Sequence, residues 1–107
     1  FLTRRGQGMS VERRKAYKYL SLASGFRGRK ADPFIVIVEP KPEGTPHETN
    51  THPGQEFNMV LEGSMELTIG KKVLTLNPGD SIYFDSTQPH GMRALNNETV
   101  KFLAIIF

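Results

Sequence analysis

The sequence predicts an all-β fold, a small antiparallel β-barrel, and three observations predict it. From Pro33 onward apolar side chains recur with a period of two. Turn signals interrupt them at short intervals, and ten glycines and seven prolines in 107 residues supply those turns. The segments between turns are too short for helices of ordinary length. Many short strands of this kind close into a barrel or sandwich, which protects their edges.

Each element can be justified in order. Residues 10–24 fit two periods: Ala16, Tyr19, Leu20 and Ala23 suit a helix, whereas Tyr17, Tyr19 and Ser21 against Lys18, Leu20 and Leu22 suit a strand. The strand is the reading adopted, with residues 25–32 as a loop. Residues 34–38 form an apolar run rich in Ile and Val, closed by Glu39-Pro40, as in a buried strand. Residues 57–61 lead to Glu62-Gly63-Ser64, after which Met65, Leu67 and Ile69 alternate with Glu66 and Thr68. That pattern is a hairpin with one wet face. Residues 73–76 run into Asn77-Pro78-Gly79-Asp80, a turn in which Pro presets φ and Gly supplies a positive one. Strands over 82–84, 90–95 and 100–107 complete the set, and Ile82, Phe84, Leu74, Leu76, Val60 and Phe102 are expected in the core.

One domain of 12.0 kDa spans residues 1–107, with N-terminal strands and a loop over 1–32 and the barrel over 33–107. The chain has no cysteine, which excludes disulfides, thiolate metal sites and cysteine nucleophiles. It has no apolar run of membrane-spanning length and no signal-peptide pattern, so a cytoplasmic location and no membrane partner are expected. The first residue is Phe1, as in a piece of a longer protein with an upstream segment. Charge is uneven. Residues 1–30 carry nine basic side chains against Glu12 alone, a net +8, and the remainder carries −5. Their spacing and sparse aromatics fit a solvated basic sheet face better than a nucleic-acid surface.

The residues able to carry chemistry lie in the second half. His52 and Glu56 stand four apart with Pro53-Gly54 between them. In an unbroken strand that step spans about 13 Å, too far for both to reach one ion. The Pro-Gly pair must therefore bend the chain, so that His52 ends one segment and Glu56 opens the next. His90 follows Gln88-Pro89 at the start of a later strand. Two imidazoles and one carboxylate make a three-ligand face with open positions. Alternation from Glu56 and His90 turns Asn58, Val60, Met92 and Ala94 inward, with Ile82 and Phe84 beside them, and places Arg93 on the opposite face. His47, in the Pro-Glu-Gly-Thr-Pro loop, is read as an ordinary solvated side chain.

The segments Asn50-Thr51-His52-Pro53-Gly54-Gln55-Glu56 through Gly63, and Gly79-Asp80 through Pro89-His90-Gly91, resemble the two motifs of the cupin superfamily. His52, Glu56, Gly63, Gly79, Pro89 and His90 match. Asn50 stands where the family pattern has its first His, and this departure removes one of the usual four metal ligands. The stretches Tyr17 to Ala23 and Gly28 to Phe34, with Gly54-Gln55-Glu56-Phe57 and Tyr83-Phe84-Asp85-Ser86, are similar to the C-terminal cupin domains of Xre-type helix-turn-helix transcription regulators. That resemblance implies a jelly-roll barrel, a homodimer, a small-molecule effector, and DNA contact only through an upstream helix-turn-helix domain. The expected ligand site is Asn50, His52, Glu56, Asn58, Phe84, His90 and Met92. His52, Glu56 and His90 would hold one divalent ion (Fe, Mn, Zn or Ni), with a metal-free pocket as the other outcome. The resemblance leaves two further functions open. One is a non-haem metal-dependent oxygenase like the cupin epoxidases that act on hydroxyphosphonates, and the other is a sugar- or acid-binding cupin such as an isomerase. The absence of an inward cation favours a sensor over an enzyme that clamps a phosphonate.

Overall fold

The computed structural model describes residues 1–14 and 17–107. Among them lie nine strands: β1 Met9–Arg14, β2 Tyr17–Ser21, β3 Asp32–Val38, β4 Gln55–Glu62, β5 Met65–Ile69, β6 Lys72–Leu76, β7 Ser81–Asp85, β8 His90–Ala94 and β9 Val100–Ile106. No helix of the described residues is long and apolar enough to cross a membrane. The expected all-β class is found, and the ambiguous N-terminal stretch is extended, folded as the β1–β2 hairpin. Lys15 and Ala16, inside the single strand expected there, lie outside the described residues.

Two antiparallel sheets face each other. One has six strands in the order β1-β2-β3-β9-β4-β7, the other three in the order β6-β5-β8. Alternation along β3 explains their contact: Phe34, Val36 and Val38 are buried, while Ile35 and Ile37 on the other face are half-buried. Val60, Phe102, Val100 and Ala104 extend that inner face across β4 and β9, and Met65, Leu67, Ile69 and Leu76 meet it from the smaller sheet. Each large side chain fully buried here contributes about 1.5–3 kcal/mol.

Of the six expected core residues, Val60, Leu76, Phe84 and Phe102 are buried and Ile82 packs against the core. Leu74 is not in the core. It pairs with buried Leu67 and so shares its face, but β6 is an edge strand and Leu74 stays 38% exposed.

Candidate metal centre

Two turns bring the polar residues of the interior together. At the first, Gly54 adopts φ 98°, and a Cβ there would collide with the Phe107 carbonyl oxygen. Glycine is thus required twice, for its dihedral and for its lack of a side chain. The His52 amide donates to the Ser86 carbonyl (3.0 Å), the Ser86 amide to the Gly54 carbonyl (3.1 Å) and the Phe107 amide to the Gln55 carbonyl (2.9 Å). These bonds pin the bend between β7 and the end of β9. At the second turn, Asp85 accepts from Thr87 Oγ1 (2.7 Å) and the Thr87 amide (2.9 Å). The Thr87 side-chain bond first, and then the backbone bond, hold the Asp85 carboxyl below its ordinary value. The turn leads through Gln88 and Pro89 to His90 at the start of β8.

The ligating atoms of His52, Glu56 and His90 all lie within 4.8 Å of one another. His52 Nε2 is 3.0 Å from Glu56 Oε1, and His90 Nε2 is 3.8 Å from the same oxygen. Burial differs: Glu56 and His90 are buried, and His52 is partly exposed. His90 Nδ1 lies 2.8 Å from the Gln88 carbonyl oxygen. A carbonyl only accepts, so Nδ1 carries the proton and Nε2 turns its lone pair to the carboxylate. His52 differs: its Nε2 is hydrogen-bonded to Glu56 Oε1 (3.0 Å), and its Nδ1 lies a longer 3.3 Å from the Pro53 carbonyl. With the Nε2 proton of His52 given up, two imidazole lone pairs and a carboxylate would converge, and a cation between them would take that proton's place. Two imidazoles and a carboxylate are the donor set that suits Fe(II), Mn, Zn or Ni, and the residues present fit such an ion.

The surrounding side chains divide into two groups. Asn58 is fully buried; its neighbours are acceptors, so its amide NH2 is assigned toward Glu56 Oε2 (2.8 Å) and the Phe57 carbonyl (3.1 Å). Phe84 packs its ring against His90, centroids 5.1 Å apart. Asn58 and Phe84 thus orient ligands from behind. Asn50, His52, Glu56, His90 and Met92 line a cavity of about 330 Å3 together with Tyr17, Tyr19, Val36, Phe102, Ala104 and Ile106. The backbones of Asn50 and His90 exchange two hydrogen bonds (2.9 and 3.0 Å), which place Asn50 beside His90 at the cavity. His47 lies outside it, near Gly91, where a Cβ would strike the Glu48 carbonyl oxygen. The six apolar and tyrosine residues of the wall escaped the sequence reading. Alternation in β3 and β9 was the available signal, but which of those faces met the site depended on sheet order.

The profile of the Cupin domain family matches residues 34–106. Among curated proteins the chain has no significant match. Solved structures similar to it include Fe(II)-HppE with the alternative substrate (S)-1-HPP, at TM-score 0.85 and 24% identity over 100% of this chain and 60% of that one. Another is hydroxypropylphosphonic acid epoxidase from S. wedmorenis, at TM-score 0.84 and 24% identity over 100% and 59%. A third is CoII HppE in complex with Tris buffer, at TM-score 0.73 and 29% identity over 85% and 53%. The chain thus spans about 60% of the length of the first structures it resembles. Its two facing sheets, the Gly54 bend and the family match over most of its length assign the chain to the cupin domain family.

Proposed function

We propose that the domain binds a small organic molecule against one divalent ion held by His52, Glu56 and His90, as the effector-sensing and dimerising half of a helix-turn-helix transcription regulator. One observation carries the small-molecule reading: the open side of the three-ligand face meets a cavity whose wall, among the described residues, contains no lysine or arginine. Arg93 is exposed on the outward face of β8. A ligand suited to this wall offers an oxygen donor to the ion and a compact apolar body to Val36, Phe102, Ala104 and Ile106.

The sheet face turned away from the cavity supports the dimer. Leu20, Ile35, Leu103 and Met59 lie side by side across four strands, and Pro33, Ile105, Phe57 and Tyr83 form the adjacent row. A continuous apolar face of this extent suits an isologous contact with a second copy. DNA would be contacted only through a domain upstream of this chain.

A second reading, a metal-dependent oxygenase, is favoured by the likeness to HppE over the full chain. The two readings are separated by dioxygen uptake of Fe(II)-loaded protein given hydroxypropylphosphonic acid and a two-electron reductant, which with the two electrons lost by the substrate reduces dioxygen to water. The sensor reading expects no substrate-dependent uptake, and uptake with formation of an epoxide would replace it by the second.

A further inference from the structure

A second cavity, about 650 Å3, lies beyond the metal-side one, walled by the loop 39–48 and by residues 92–97. The two cavities share Tyr17 and Met92 as wall residues. Tyr17 is buried, and its hydroxyl donates to the Met92 carbonyl (2.9 Å) and accepts from the Met92 amide (3.0 Å). β8 is the last strand of its sheet, so on that side these backbone groups meet no further strand, and one phenol serves both. The ring is braced edge-on by Tyr19 (centroids 6.2 Å apart), which is itself edge-on to Phe34 (5.7 Å). A side chain clasped at its tip and packed along its ring is a fixed wall.

We propose that Tyr17 is the specificity-determining partition of the site: it limits the length of the molecule accepted at the ion and keeps the outer cavity out of the binding volume. This rests on the reading that the metal-side cavity takes a ligand. A head group at His52, Glu56 and His90 would send its tail along Val36, Phe102 and Met92 toward the Tyr17 ring. Short-tailed chelators then fit, and longer ones meet the ring.

The test is a series of linear alkyl hydroxamates, acetohydroxamate to decanohydroxamate, titrated into Co(II)-loaded protein and read on the Met92 methyl resonance. In the unmodified protein affinity should fall about tenfold or more once the tail exceeds the cavity, the scale on which a pocket rejects a methylene that does not fit. Tyr17→Ala should move that break to longer tails, and Tyr17→Leu, which keeps an apolar body if the alanine variant does not fold, should move it less far. Tyr17→Phe should keep the break near its original place. An identical break in the unmodified, Ala and Leu proteins overturns the proposal, as does the absence of any break in the unmodified protein. If the protein takes up no Co(II), the metal reading has failed by itself. The partition is then judged in the apoprotein on the same methyl with linear primary alcohols, under the same two criteria.

Discussion

Glu56 is a carboxylate only 4% exposed, with one imidazole nitrogen 3.0 Å and another 3.8 Å from the same oxygen and an amide NH2 on its other oxygen. Burying such a group is costly unless it is paired. Replacing a ligand should therefore matter more to the ion than to the fold: His90→Ala is expected to lower divalent-metal affinity more than about 100-fold, since even supporting residues cost 10–100-fold. Its thermal transition in the absence of metal should stay cooperative, which calorimetry checks. Asn58→Ala tests the support itself. It leaves all three ligands in place and should lower affinity by about 10–100-fold, measured by titration calorimetry. His52, Glu56 and His90 were legible in the sequence because the Pro53-Gly54 bend and the two motifs are local. The part played by Asn58 was not, because alternation puts it inward without saying whether it faces the cavity or the back of a carboxylate.

At the scale of the element, the Gly54 bend places two of the three ligands. Gly54→Ala combines a positive φ with a collision at the Phe107 carbonyl and should cost about 1–3 kcal/mol in a denaturant titration. It should also weaken metal binding, because His52 and Glu56 can no longer share one side. The Asp85 turn carries a pH signature. Its carboxyl is lowered in the folded protein, so the Thr87 bonds stabilise fully above the ordinary value of 3.8 and fade as pH falls through the lowered one. Asp85→Asn should lower stability in the neutral range, where the carboxylate's contribution is fully present, and converge with the unmodified protein as pH falls through the lowered value, as seen by comparing melting curves of the two proteins. Most strands were readable from alternation and turn chemistry, β5 above all, where Met65, Leu67 and Ile69 are buried in strict order. Leu74 broke the rule because alternation assigns a face, whereas burial needs another element opposite that face.

For the whole molecule, sheet order decides what sequence alone could not. The outer rows through Ile35, Leu103 and Met59 and through Ile105, Phe57 and Tyr83 become one surface only because β9 inserts between β3 and β4. Light scattering should give the mass of two chains, and Ile35→Lys with Leu103→Lys should give one chain without loss of the metal site. A monomeric mass for the unmodified protein at high concentration would contradict the dimer. The same insertion of β9 carries Phe102, Ala104 and Ile106 to the cavity wall, which is why the barrel was foreseeable and its lining was not.

The central claim, one ion on two imidazoles and a carboxylate, is tested most directly by Co(II) titration of the apoprotein followed by its visible absorption spectrum. The account predicts saturation at one equivalent per chain and loss of that spectrum in His52→Ala, Glu56→Gln and His90→Ala alike, with affinity falling on acidification as protons compete for the ligands. No uptake, or uptake that survives all three substitutions, would contradict it.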